Sequence, residues 1–389
     1  MPVKVAGRLI LVSGILVCCA AGIGFPSRAY CELDADRAFA GCGAEETRLS
    51  PTTDIFDCLF LLPTTSSAPP DARSQGMGRA FTAIAEGPAA VFWNPGALGL
   101  PQPQSLLPFS RAELGPGVSG DVVLYSFGGT GRWKGIGAGA LLNRLSYGES
   151  ECGGSDYTLR LGGGLNLASF IAPAQERFRW GVGASFKRIK MDNSYEGSFT
   201  ECTEFAPSGW DIDLGTLLTY HSYQRPSSGD THGLQSYVGM RAGAVVGNLL
   251  KNEIEIVEGA DPWPLSRVLR LGFAFEGAFR DSPPFGHAVR AVLSVERKVI
   301  YIDAGDCDER TSDHFGGELR LLGIFAARVG YIDDPRNKLE DWSWGLGLGI
   351  DLRDVVAERF GVELAFASIP RADPFERIHQ ITLSAWIDS

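Results

Sequence analysis

Beyond residue 30, this 389-residue chain lacks any run of about 20 apolar residues, the length a membrane-spanning helix needs. That excludes a helical membrane domain from there onward. Cysteine is sparse, with eight in all and none in a C-x-x-C pair, so zinc-ribbon and dithiol redox motifs are excluded. Five histidines (His221, His232, His287, His314 and His379) are scattered without metal-ligand spacing. No Gly-x-Ser-x-Gly elbow supplies a hydrolase nucleophile. Basic residues are outnumbered, 35 Lys and Arg against 46 Asp and Glu, giving a net charge of −11. A chain so short of positive charge offers no face to nucleic-acid phosphates. No catalytic residue, cofactor or metal site is assigned, and the chain reads as a non-enzyme.

What is present begins at the N-terminus. Lys4 and Arg8 precede an apolar run from Leu9 to Ala21 with small residues after it. This is the layout of a secretory signal peptide over residues 1–29, cleaved after Ala20 or after Ala29. Residues 30–72 are rich in Pro, Ser, Thr and Ala without sustained periodicity and read as a flexible segment, with one apolar patch from Ile55 to Leu62. Six cysteines remain after export, and disulfides are their natural state in an oxidising compartment.

From about residue 102 the pattern becomes one of repeated alternation. Leu269, Leu271, Phe273, Phe275 and Phe279 share one face while Arg270, Gly272, Ala274, Glu276 and Ala278 share the other. Trp342 to Leu352 repeats this, with large apolar residues against Ser343, Gly345, Gly347, Gly349 and Asp351. Such segments are longer than the ~5–6 residues usual in soluble sheets. Aromatic residues often stand at their ends (Trp133, Tyr147, Trp180, Trp210, Trp342 and Trp386), as in the girdles of outer-membrane barrels. The expected fold is therefore all-β: a transmembrane antiparallel β-barrel of about fourteen strands over residues 102–389, placed in a bacterial outer membrane and bathed in its lipid. The first four strands are expected near 103–109, 117–128, 133–147 and 155–170. With the chain ends in the periplasm, the loops at 191–208, 250–266 and 300–312 fall outside, and Gly128–Arg132 is expected as a short inside turn. Cys152 and Cys202 then lie in consecutive outer loops and form a candidate disulfide.

The face opposite the lipid carries charges of both signs: Arg160, Asp211, Asp213, Arg270, Glu276, Arg290, Glu296, Glu318, Arg320, Arg328, Asp351 and Glu363. A Lys or Arg on the lipid face would cost about 2–4 kcal/mol at the bilayer midplane, which accounts for the clean parity. These charges read either as a polar path or as a mutually paired network filling the lumen. Glycines at period 2, such as Gly135, Gly137 and Gly139, have no helix after them and fail the context test for a phosphate loop. Space for a lumenal segment explains them better.

That segment is SQGMGRAFTAIAEGPAAVFWNPGALGL, within residues 73–101. Its small residues keep it slim enough to thread a barrel, and Asn94-Pro95 reads as a helix cap followed by proline at the first helical position. Gly76, Met77, Gly78, Phe81, Phe92, Trp93, Asn94 and Pro95 are its candidate hatch and ligand-contact residues.

From Arg73 to Leu98 the stretch resembles the N-terminal motif of the PorV/PorQ-like outer-membrane proteins, within the wider group similar to the long-chain fatty-acid transporter FadL. In that group a Gly-Met-Gly-x-Ala segment leads to an acidic pair and then Trp/Tyr-Asn-Pro-Ala-Gly-Leu. Here Glu86-Gly87 replaces the acidic pair, and Gly96-Ala97 reverses the usual Ala-Gly. The resemblance implies a fourteen-stranded barrel with a small N-terminal hatch in the lumen. It also implies one of two functions: passive transport of small hydrophobic molecules, or a non-catalytic scaffold or shuttle that binds secreted or envelope proteins.

Overall fold

The computed structural model describes residues 67–114, 122–133, 135–147, 154–171, 177–197, 201–205, 208–223, 235–254, 263–280, 287–301, 309–335, 339–351, 359–371 and 377–388. The signal-peptide reading, the apolar patch at 55–62 and Cys152 lie outside these residues. So do the side chains of Cys202 and Asp351.

Fourteen long strands follow one another. They are β1 Gln104–Glu113, β2 Val123–Trp133, β3 Ile136–Tyr147, β4 Gly154–Asn166, β5 Phe178–Gly197, β6 Ser208–Tyr223 and β7 Gln235–Gly247. The second half comprises β8 Arg267–Arg280, β9 His287–Tyr301, β10 Glu309–Leu321, β11 Phe325–Asp334, β12 Leu339–Asp351, β13 Arg359–Ile369 and β14 Ile378–Asp388. Each pairs antiparallel with its sequence neighbours, and β14 pairs with β1, so the sheet closes. A further short strand, Glu201–Phe205, folds back on the end of β5 and does not cross the barrel. Closure leaves no unpaired sheet edge, the condition for a sheet to span a bilayer.

Side-chain alternation follows from the two-residue period of a strand. Leu346 and Leu364 point outward and are 56 % and 52 % exposed, while Ser343 and Glu363 point inward and are 0 % and 6 % exposed. The outward apolar band runs round the barrel through Leu161, Phe275, Leu293, Phe315, Val329 and Trp344. The barrel has two unlike ends. At one, β2 passes to β3 through Gly135 and residues 322–324 make a short turn; at the other lies the ribbon Glu253–Ile254 paired with Trp263–Pro264, between β7 and β8.

The hydrophobic core lies in the lumen. Met77, Phe81, Ile84, Val91, Phe92, Trp93 and Leu98 of the N-terminal segment pack against Leu107, Leu141, Leu217, Ala274 and Val292 of the wall. The segment contains helix α1 Ala72–Gly76, helix α2 Ala90–Trp93 and 3₁₀ turns at Gly87–Ala89 and Pro95–Gly99. Asp71 caps α1 by accepting from Ser74 N at 2.8 Å, and Asn94 caps the last turn by accepting from Gly96 N at 3.0 Å.

Three sequence expectations are corrected. Gly128–Arg132 is strand rather than turn: β2 runs to Trp133, and the turn falls at Gly135, which has φ 86°. The glycines at 128, 129 and 131 suggested a turn but sit in strand backbone. The strand expected over 155–170 ends at Asn166, and Ala168–Ile171 forms a short helix. Trp386 does not join the outer girdle. It shares the inward face with Gly361, its cross-strand partner, over which its ring lies.

Candidate functional site

The lumenal segment is held by backbone-to-backbone contact at several glycines on the inner face of the wall. A Cβ on Gly137 would stand 1.7 Å from Leu98 O, one on Gly164 2.5 Å from Gly99 N, and one on Gly330 2.0 Å from Gly78 N. Gly78 itself adopts φ 63°, a conformation costly for any side chain, and abuts Phe315 O. The period-2 glycines of the wall are thus the inner-face positions against which the segment lies. Gly76 likewise faces Gly345. Asn94, fully buried, ties the segment together and to the wall, donating to Thr82 O at 3.0 Å and Thr216 O at 2.9 Å.

Polar side chains anchor the rest. Glu296 accepts from Phe81 N at 2.9 Å and Thr82 N at 2.8 Å, so one wall carboxylate satisfies two hatch amides. Arg73 forks onto Glu318 at 2.8 and 3.0 Å and also meets Glu86. Arg328 bridges Glu318 at 2.7 Å and Glu363, and Arg320 meets Glu363 at 2.6 Å. A hatch arginine is therefore built into a chain of wall charges. Burial acts against the charged form of Glu86, but Arg73, Arg290 and Arg241 outweigh it and hold its carboxyl below the usual range.

Other predicted charges form separate groups. Asp213 binds Arg160 and Lys187, each at 2.6 Å. Glu276 binds Arg241 at 2.5 Å, Arg290 at 2.7 Å and the Tyr237 hydroxyl. Asp211 accepts from Leu250 N at 3.0 Å and Asn252 N at 3.2 Å, so it fixes the long 248–266 connection rather than facing a path. Arg270 lies over Phe92 and Trp93, with Arg160 on the other ring contact of Phe92 at 4.9 Å. The buried charges around Asp213 and Glu276 are mutually hydrogen-bonded, as burial demands.

Between the segment and β1, β10, β13 and β14 lies a cavity of about 340 Å³. Phe81, Pro88, Leu107 and Trp386 give it apolar walls, and Arg73, Glu86, Arg290, Arg320 and Glu363 give it a charged side. Of the predicted aromatic contacts, Phe81 lines this cavity, whereas Phe92 and Trp93 are packed edge to face at 5.2 Å under Arg270. Met77 and Pro95 are buried in the hatch core.

β1 is irregular beside the cavity. Its register shifts between Leu106 and Phe109 against β14 and between Leu107 and Ser110 against β2. Pro108, which has no N–H to give, stands in the gap. Leu106 faces outward and Leu107 inward, yet both line the cavity, together with Ala385 and Trp386 of β14.

Sequence reasoning did not single out Arg73, Arg79, Glu86, Tyr237, Arg241, Arg310 or Asp334 as site residues. For Arg241 the alternation with outward Val238 and Met240 was a sufficient signal. For Arg73 and Glu86 no period exists in the segment to read.

No family model matches the sequence, and no curated protein matches it. Among solved structures, the chain is similar to the Ralstonia pickettii toluene transporter TbuX, with 12 % identity over 82 % of this chain and 96 % of that one and a TM-score of 0.41. It is also similar to a Pseudomonas aeruginosa FadL homologue (9 %, 82 % and 98 %, 0.43) and to the Pseudomonas putida toluene transporter TodX (11 %, 82 % and 96 %, 0.40). Fold and lumen together define the class: a closed fourteen-stranded antiparallel β-barrel with an outward apolar band, whose interior holds the segment around residues 72–100.

Proposed function

We propose that the chain is a passive conduit for small hydrophobic molecules across the outer membrane, with the segment around residues 72–100 serving as hatch. The observation that carries this reading is the cavity beside the β1 irregularity. Outward Leu106 and inward Leu107 both line it near the short-turn end, which supports a route between the lumen and the bilayer there. Apolar solutes partition readily into such a space, and the packed hatch above it denies water a straight path. The resemblance of Arg73–Leu98 to FadL-like proteins is consistent with it. No feature of the described residues favours the protein-docking scaffold instead.

The test is uptake by proteoliposomes of a fluorescent naphthylamine and of radiolabelled toluene. Uptake above protein-free vesicles is expected for the native chain, with loss on filling the cavity by Leu107→Trp or Ala385→Trp. Uptake no faster than through lipid alone would overturn the proposal.

A further inference from the structure

Carboxylates and cations are matched through most of the lumen, but not on the inner faces of β8–β10 at the long-loop end. Arg270 of β8 and Lys298 of β9 are direct cross-strand partners facing inward. Like charges directly opposite on a sheet repel one another. Arg79 directly follows Gly78, whose carbonyl meets His314 Nδ1 of β10 at 2.8 Å, and Arg310, on the same inward face of β10 as His314, flanks Ser312, the cross-strand partner of Lys298. Three carboxylates are at hand, Glu296, Asp213 and Asp334, and each is engaged, Asp213 by Arg160 and Lys187 at 2.6 Å. Asp334 holds Arg310 at 2.8 Å, and one oxygen of Glu296 takes the two hatch amides.

The cations themselves are weakly provided for. Among the described residues Arg79 has only the Gln75 amide oxygen, at 3.1 Å. Arg270 has ring faces and a 3.5 Å approach to Phe92 O, and its Nε is buried without a partner. Lys298 makes no hydrogen bond or ion pair among the described residues. A sheet that places Lys opposite Arg, with a third cation from the hatch beside them, is stabilised by an anion between them. Two guanidinium forks and a mobile ammonium are the donor set that phosphate and carboxylate oxygens accept from.

We infer that Arg79, Arg270 and Lys298 form a binding site for a small oxyanion, a phosphate or a carboxylate, in the long-loop half of the lumen. The site joins a hatch residue to two wall residues, so its occupant also fastens the Gly78–Arg79 turn. The inference does not rest on the transport reading.

Equilibrium dialysis of the full chain in detergent micelles against radiolabelled inorganic phosphate, at fixed ionic strength, reads the site directly. One saturable site per chain is expected, weakened about tenfold or more by Lys298→Met, in line with losing one charged hydrogen bond. Displacement by butyrate assigns the carboxylate form, and resistance to it the phosphate form. Without phosphate, Lys298→Met is expected to unfold at the same temperature as the native chain or higher, because it removes the repulsion from Arg270. Binding that follows ionic strength alone, or that is equal in the two proteins, overturns the inference. A marked loss of stability in anion-free Lys298→Met does so too, since it would show Lys298 held by a partner within the protein. Absence of hydrocarbon uptake leaves each of these outcomes readable.

Discussion

Replacing Gly137 by alanine separates hatch from barrel more sharply than any other single change. The added methyl would stand 1.7 Å from Leu98 O and 2.6 Å from Leu98 C, both backbone atoms that no rotamer can move. Non-bonded carbon and oxygen rest no closer than about 3.3 Å, so the Pro95–Gly99 turn must retreat by about 1.6 Å. Sideways movement is blocked too, because Gly99 is pressed against Leu165 O on β4, where a Cβ would meet it at 2.3 Å. Retreat takes Leu98 off the wall, and full exposure of one such side chain costs about 1.5–3 kcal/mol. It also stretches the two Asn94 amide bonds to Thr82 O and Thr216 O, each worth about 1 kcal/mol. The sum, about 3.5–5 kcal/mol, falls on hatch docking, while the wall ladder keeps its register. The expected result is a barrel that migrates as folded on unheated gels but whose 73–101 segment is cut by protease and whose bilayer conductance rises. Gly277→Ala, at an outward position with no atom within 4 Å of the new methyl, is the control and should change neither. Native protection and native conductance in Gly137→Ala would refute the docking geometry.

Other changes test the remaining contacts. Arg328→Met takes one of the two cationic partners from each of Glu318 and Glu363, both nearly inaccessible, and should cost about 1.5–3 kcal/mol in urea unfolding; Arg297→Ala, which removes an exposed pair, should cost about 1 kcal/mol or less. Asn94→Ala removes the cap on the last hatch turn and should raise amide exchange at Gly96 and Ala97 by a factor set by about 1–2 kcal/mol, without altering exchange in β11 or β12. Leu346→Arg puts a cation on the lipid face and should lower the stability of the vesicle-refolded barrel by about 2–4 kcal/mol. Equal stability there would place that face away from lipid.

Barrel architecture was open to reading because it follows from one-residue alternation. Leu269 through Phe279 on one face and Arg270 through Ala278 on the other need no tertiary information, and the lumen charges inherit that parity. Where the signal is local and ambiguous, reading failed. Gly128, Gly129 and Gly131 look like a turn by composition, yet they belong to β2. Gly128 makes room for Pro88 of the hatch, and Gly129 faces the outward Leu106. Trp386 sits at a strand end like the girdle residues, but Gly361 opposite leaves it a place inside. In the hatch no period exists, so the ionic roles of Arg73 and Glu86 emerge only once β10 brings Glu318 to meet them.

The wall glycines and the small residues of the hatch are two halves of one requirement. A fourteen-stranded barrel is too wide to be filled by side chains of its own wall and too narrow to take a helix bundle. A chain in short turns fits if its backbone can touch the wall backbone, which needs glycine on both sides, as Gly78 with Gly330 and Gly99 with Gly164 show. Backbone left bare by those glycines needs polar partners, and Glu296, Asn94 and His314, the last at 2.8 Å from Gly78 O, meet that need. Such docking is close but spread over many short contacts, so a hatch of this kind can loosen at one place without leaving the barrel. The cavity at Phe81 and the cation cluster at Arg79 lie on its two sides, which makes the turn between them, Gly78 to Thr82, the place where occupancy of one site would be felt at the other.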